Sequence, residues 1–253
     1  MQTFEWKAAS AYVIGRSHEK EQTLCQDRTY TLQENGIQVI ALADGAGSAK
    51  LSHLGAEAVV RTVSHHVLKQ FSSYKEMDST AAAEQLLDVI MQELQQLAEQ
   101  LDCEKQELAS TLLFVASDGK SYVSGHLGDG LIAELNEGLS IHSHPDNGEY
   151  ANSTYFTTSK DALVRLRIRS GECEQVGAYF LMSDGTSSSM YRKADDFLSP
   201  ALATVASWLE EHDEETVNDA LLQNLNKSIR MKTFDDCSLA VMTKVVCSNQ
   251  SDD

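Results

Sequence analysis

Residues 39–60 read VIALADGAGSAKLSHLGAEAVV. An apolar run from Val39 to Ala43 ends in Asp44, passes Gly45 and Gly47, and continues as a pattern in which Leu51, Leu54, Ala58, Val59, Val63 and Val67 share one helical face. The segment is a strand, a tight turn and a helix. Glycine turns at such junctions often cradle phosphate on free backbone N–H groups. Here a dinucleotide fingerprint starting at Gly45 meets Lys50 where its third glycine belongs, and a Walker loop meets Ala49 where glycine should precede the lysine. A carboxylate directly before the turn also repels phosphate. Asp44 reads instead as an oxygen ligand for a hard cation, or equally as a helix cap or turn residue.

The whole chain narrows the field. Its 253 residues suffice for a full core, and with only two prolines and no Gly/Ser-rich linker it is expected to form one domain, 1–253, with a frayed tail near 247–253. A formal charge of −18 argues against nucleic acid and anionic membranes as partners. No apolar run is long enough to span a bilayer, and MQTFEWKAAS lacks a signal pattern, so a cytoplasmic protein is expected. The cysteines, Cys25, Cys103, Cys173, Cys237 and Cys247, are odd in number and form no C-x-x-C pair, as fits reduced thiols.

Around the central stretch, residues 4–15 are strand-like, and a polar loop follows that ends in a short strand after Asp27. Asn35-Gly36 is a two-residue hairpin turn that brings Asp27 near Asp44. Helices are expected over 51–71 and through Leu87, Ile90, Leu94, Leu97 and Leu101. The β-rich run 110–116 is followed by hairpin signals at Asp118-Gly119 and Asn136-Glu137-Gly138, with Asp129 between Gly128 and Gly130. A polar surface loop or flap is expected over 144–158, then strands near 162–169 and 178–182. Next come helices over 196–211, with Phe197, Ala201, Val205, Trp208 and Leu209 inward, and over 214–229. Asp235 and Asp236 enter a last strand. Successive hairpins point to antiparallel sheets.

Asp27, Asp44, Asp129, Asp184 and Asp235 each stand at a strand end. Any one alone suits a turn. Gathered, they would repel one another unless cations neutralised them, and oxygen-only ligation favours Mg2+ or Mn2+ over zinc. Two such ions roughly 3.5–4 Å apart can activate water and clamp a phosphoryl group.

The ordered series CQD (25–27), ADGAGS (43–48) with Gly55 and Ala58, STLLF (110–114), GHLGDG (125–130), SDG (183–185) and DDCSLAV (235–241) resembles the motifs of the metal-dependent protein phosphatases of the 2C type. ADGAGS and GEYAN (148–152) resemble a divergent bacterial branch. The resemblance implies an α+β fold, a four-layer α-β-β-α sandwich of two packed antiparallel sheets flanked by helices. It implies two Mg2+ or Mn2+ ions, with Asp44 bridging them, the Gly45 carbonyl on one, Asp184 and Asp235 on the other, and Asp27 acting through water. Asp129 with Asp184 would hold a weaker third ion. The implied activity is phosphoserine/phosphothreonine hydrolysis by metal-activated water in a monomeric signalling enzyme acting on a phosphoprotein, with a cognate kinase as a further partner.

Three positions depart from the family pattern: Ala46 replaces a leaving-group histidine, Gln22 a phosphate-binding arginine, and Ser188 an acidic residue. Arg16 and His18, on a longer loop, are the candidates for phosphate binding, and His18 also for proton donation, unless it is simply an exposed loop histidine. His65, His66, His142 and His144 read as structural or surface groups, and Cys25 and Cys237 as inert thiols. The loss at Ala46 gives weight to a rival reading, a pseudophosphatase that binds a phosphoprotein or kinase without turnover. A metal phosphodiesterase or small-molecule phosphatase is a third.

Overall fold

The structure, a computed structural model, describes residues 4–147 and 154–246. The apolar run Ile37–Ala43 lacks the polar alternation of a half-exposed strand because both of its faces are covered. Val39, Ala41 and Ala43 turn toward helices, while Ile40 and Leu42 turn toward a second sheet.

In chain order, β1 (Phe4–Val13) leads to α1 (Arg16–Glu21), and then β2 (Arg28–Glu34) and β3 (Ile37–Ala43) form a hairpin. Its turn residues Asn35 and Gly36 have φ of 53° and 78°, the left-handed pair that a two-residue hairpin needs. Two long helices follow, α2 (Ser52–Glu76) and α3 (Ser79–Leu101); the Asp78 carboxylate caps α3 by accepting from the Thr80 N–H at 2.9 Å. After a 3-10 turn at Lys105–Leu108 come two successive hairpins, one of β4 (Leu112–Ser117) and β5 (Ser121–Leu127) and one of β6 (Leu131–Leu135) and β7 (Leu139–Ser143). Beyond it lie α4 (Ala162–Arg165), β8 (Arg167–Glu172), β9 (Ala178–Met182), α5 (Asp184–Met190) and a small hairpin of β10 (Tyr191–Arg192) and β11 (Phe197–Leu198). The chain continues through α6 (Ala201–Glu211), α7 (Glu214–Asn224) and β12 (Cys237–Val246).

Two five-stranded antiparallel sheets result, ordered β1-β12-β9-β6-β7 and β2-β3-β4-β5-β8. Trp6, Ile40, Leu113, Tyr179 and Met242 fill the space between them. The outer face of the second sheet packs on α2 and α3, and that of the first on α6 and α7. This is the expected four-layer α+β sandwich. The edge strand β1 is sealed by α7: the Ala8 N–H donates to Glu214 Oε1 at 2.6 Å and the Ser10 N–H to Asn218 Oδ1 at 2.7 Å.

Several expectations are corrected. The polar loop after residue 15 begins as α1, which buries none of its residues and is held by tertiary contacts. Residues 162–165 are helical, and the strand starts only at Arg167. The serine-rich 184–190 segment is a helix, and residues 196–198 belong to a hairpin. Phe197 is therefore 45% exposed beneath the Arg192 guanidinium, and Ala201 and Leu101 are also exposed. The GEYAN segment from 148 to 152 and the tail from 247 lie outside the described residues.

Gly55 marks where α2 meets the chain before β4, since a Cβ there would stand 1.9 Å from the Leu108 carbonyl oxygen. In an open helix, Gly→Ala gains about 1 kcal/mol. Here the clash is with backbone and dominates, so Gly55→Ala should lose about 2 kcal/mol, within the cost of overpacking. Urea unfolding checks this by its midpoint, and an unchanged or raised midpoint contradicts the contact.

Candidate active site

Antiparallel register decides which ends meet. β2 and β3 pair Arg28 with Ala43, so the next step sets Asp27 opposite Asp44. β6 and β9 pair Leu131 with Met182, and two steps further set Asp129 opposite Asp184. β12 pairs Leu239 with the same Met182, which brings Asp235 and Asp236, just before that strand, to this end too. The charges of Asp27, Asp184, Asp235 and Asp129 all act on Asp44. The five aspartates singled out in the sequence share one end of the sandwich.

Backbone contacts hold them there. The Asp44 N–H donates to Thr111 Oγ1 at 2.9 Å, and its carbonyl accepts from the Thr111 N–H at 2.8 Å. The Gly45 N–H donates to the Gln26 carbonyl at 3.2 Å and the Ala46 N–H to the Ala109 carbonyl at 2.9 Å. A Cβ at Gly45 would meet Ser52 Cβ at 2.8 Å, so the turn fits only without a side chain. The segment before β4 is therefore the clamp on this turn. Asp184 opens α5 and accepts from the Gly185 N–H at 2.6 Å, and Asp235 accepts from the Asp236 N–H at 2.9 Å. The Asp129 carboxylate accepts from the Thr154 hydroxyl. Thr157 is buried, with its N–H on the Ser110 carbonyl at 2.8 Å. The described C-terminal end of the 144–158 segment is thus anchored to the site rather than lying free on the surface.

The electrostatics are severe. Asp27 is 0% exposed, and neither of its carboxylate oxygens has a well-formed hydrogen bond, although the Ser183 and Ser238 hydroxyls lie near enough to ease its charge. Burial, and then the Asp236 carboxylate, push the Asp27 carboxyl up to about 8. Burial, then Asp235 and Asp129, push Asp184 up to about 7. Asp44 is raised well above the usual range by burial and then by Asp27, and Asp235, which still reaches solvent, is raised chiefly by partial desolvation. Divalent cations would restore the charged forms, and the unpartnered oxygens of Asp27 fit such a role. The donors are all oxygen, which suits Mg2+ or Mn2+. Among the described residues no three such groups close on one point at ligand distance. An ion here would draw much of its shell from water, as Mg2+ commonly does.

The other candidates are placed as follows. Arg16 lies on α1, its Nε donating to the Thr233 carbonyl at 2.8 Å and its guanidinium 4.3 Å from the centroid of the Phe234 ring. His18, on the same helix and not on a loop, is half-buried, with Nδ1 3.0 Å from Asp236 Oδ1. Gln22 is the exposed left-handed cap of α1. Ala46 is 5% exposed and packs with Ala49, Ala109 and Phe156. Ser188 donates to the Gly185 carbonyl at 2.8 Å within its own helix. His142 sits between Glu134 at 2.8 Å and Ser124 at 3.0 Å, a structural role as expected. Burial raises the Cys25 thiol, and raises that of Cys237 to about 12, so both are poor nucleophiles. Sequence reasoning missed Asp236, which is buried beside Asp27. Its signal was the Asp-Asp pair itself, because two successive residues entering a strand face opposite sides.

Two packed antiparallel sheets with an all-carboxylate end define a metal-dependent phosphatase of the two-sheet kind. The chain belongs to the protein phosphatase 2C family, whose family model matches residues 14–226, and with it to the metal-dependent serine/threonine protein phosphatases. It is 26% identical over 250 residues to serine/threonine-protein phosphatase 3 of Escherichia coli strain K12, covering 93% of this chain and 97% of that protein. The fold is similar to the catalytic domain of the serine/threonine protein phosphatase PstP in complex with two manganese ions, with a TM-score of 0.60, 18% identity, and coverage of 96% and 100% of the two chains. A serine/threonine phosphatase of S. agalactiae is similar at a TM-score of 0.60 and 16% identity, with coverage of 94% and 99%.

A carboxyl whose pKa is higher folded than unfolded binds more protons in the folded state, so it favours folding less as pH rises. For Asp27 the window runs from about 4, the unfolded value, to about 8. Metal-free Asp27→Asn should therefore be more stable than the metal-free wild type at pH 8, by on the order of 1 kcal/mol or more, and the gap should shrink toward pH 4. Calorimetric melting in chelator across this range is the check, and a gap independent of pH contradicts the assignment.

Proposed function

We propose that this chain removes phosphate from phosphoserine and phosphothreonine in proteins with two divalent ions, Mg2+ or Mn2+, and a weaker third. The observation that carries this reading is the gathering of Asp27, Asp44, Asp129, Asp184 and Asp235 at one end of the sandwich, with burial and mutual charge raising the carboxyls of Asp27, Asp44 and Asp184. When bound, the ions supply Lewis-acid polarisation of the phosphate and a nucleophilic water at neutral pH.

The chain's own residues do the rest. Asp44, with the Gly45 carbonyl beside it, and Asp184 and Asp235 would hold the two ions together with water, Asp27 would act through water, and Asp129 with Asp184 would serve the third ion. Arg16, with Nε fixed on the Thr233 carbonyl and the ring of Phe234 beneath it, offers its remaining N–H groups to the phosphate. His18 donates the proton that the serine or threonine oxygen needs as it leaves. The pseudophosphatase reading is weaker, since a scaffold without turnover has no use for this many mutually repelling carboxylates gathered in one place. The single domain 1–253 acts as a cytoplasmic monomer on a phosphoprotein, opposite a cognate kinase. Among the described residues, no helix is long and apolar enough to cross a membrane.

Hydrolysis of a phosphothreonine peptide should require Mn2+ or Mg2+ and stop in chelator. Asp44→Asn and Asp235→Asn should each lower kcat/KM by more than the roughly 10–100-fold seen on losing a group that merely orients a ligand. Wild-type rates in both variants, or turnover in chelator, would show the reading to be wrong. His18→Ala should slow a substrate with a poor leaving group by about a hundredfold or more, and p-nitrophenyl phosphate far less. Equal losses on the two substrates remove His18 as proton donor.

A further inference from the structure

We propose that Asp236 is a positioning residue for this centre, a role that rests on the phosphatase reading. One buried carboxylate fixes the backbone before Asp27, the entry to α1 and the ring of His18.

Asp236 is 2% exposed. Its Oδ1 accepts from the Gly15 N–H at 2.5 Å and its Oδ2 from the Gln26 N–H at 2.6 Å. These are short, charge-assisted bonds to residues 221 and 210 positions away in sequence. Asp27 has no well-formed side-chain hydrogen bond of its own, so its aim depends on the backbone around it. That backbone is held by Asp236 at the Gln26 N–H, and by Arg28 Nη1 at the carbonyls of Cys25 and Asp27, at 2.8 and 2.7 Å. The Asp236 main chain serves the other ligands as well. Its N–H donates to Asp235, and its carbonyl oxygen lies so close to Gly185 that a Cβ there would stand 2.0 Å away, packing the first turn of α5 on this peptide. Gln26 beside Asp27 and Gly185 beside Asp184 rest on Asp236, and Asp235 accepts from its N–H.

His18 is the other half of the device. α1 is too short and too polar to orient itself. It is clipped to the 230–236 segment by the Ser17 N–H on the Phe234 carbonyl at 3.0 Å, by Arg16 on Thr233, by Glu19 with Arg230, and by His18 beside Asp236. The His18–Asp236 contact is at ion-pair distance without ideal hydrogen-bond direction. A carboxylate oxygen 3.0 Å from Nδ1 engages that nitrogen and leaves Nε2 as the ring nitrogen that can carry the proton to the leaving oxygen. Asp236 also adds charge beside Asp27, where charge is already disfavoured. The carboxylate answers a local need, because two buried N–H groups require two acceptor atoms and an asparagine amide supplies only one.

The test is calorimetric titration of Mn2+ into the full chain carrying Asp236→Asn, with far-UV circular dichroism and kinetics on a phosphothreonine peptide. Expected are a wild-type spectrum, Mn2+ affinity lowered roughly 10–100-fold, and a fall in kcat with little change in KM. Wild-type Mn2+ affinity and kcat in this variant overturn the proposal. A wild-type chain that neither binds Mn2+ nor hydrolyses the peptide defeats the phosphatase reading instead. NMR of the wild-type protein tests the same contacts without a variant. Gly15 and Gln26 amide protons should lie downfield, exchange slowly and move on Mg2+ addition. Fast exchange at both amides overturns it.

Discussion

The structure depends on holding like charges together where water is scarce. Asp27, Asp44 and Asp184 are each raised by burial and then by neighbouring aspartates, so the acidic end favours opening whenever its charge is uncompensated. Resistance comes from bonds to the main chain around them: Asp44 clamped to Thr111, Gly45 to Gln26, Ala46 to Ala109, and Gln26 in turn to the Asp236 carboxylate. Because these bonds link residues from distant parts of the chain, the carboxylates can separate only if the sandwich itself loosens.

Two sheets are needed for this, since neither alone brings enough strand ends together. Asp27 and Asp44 come from one sheet, and Asp129, Asp184 and Asp235 border strands of the other. The layer between them, with Ile40, Leu42, Leu113, Tyr179 and Met242, fixes their separation. Register matters as much as packing, because a slip of one residue would turn the buried face of a strand outward and carry its terminal aspartate away from its partner. Two of the helix contacts with the site are made at helix starts, where α2 follows the Asp44 turn and α5 begins at Asp184.

Much of this was legible in the sequence, and for identifiable reasons. Apolar runs bounded by Asn-Gly and Asp-Gly turns leave few alternatives to antiparallel hairpins, and aspartates next to those runs must emerge at strand ends. What escaped notice was structure made by tertiary contact. RSHEKE has no apolar face and buries nothing, so nothing in its pattern announces a helix. DGTSSSM is rich in residues that compete for backbone hydrogen bonds and reads as a turn, although Asp184 and neighbouring strands make it a helix. Asp236 was overshadowed by its neighbour Asp235. Only coordinates reveal that one side chain of the pair is buried and the other exposed.

Ala46 carries a consequence of a different kind. Its methyl is enclosed by Ala49, Ala109 and Phe156, the last of these from the segment that also brings Thr154 to Asp129. An imidazole placed there would be an overpacking change costing about 1–3 kcal/mol, borne by the anchor of that segment. The position is therefore no vacant slot that one substitution could refill. With this corner filled by small and aromatic side chains, a proton donor could be installed at position 46 only by repacking several neighbours at once.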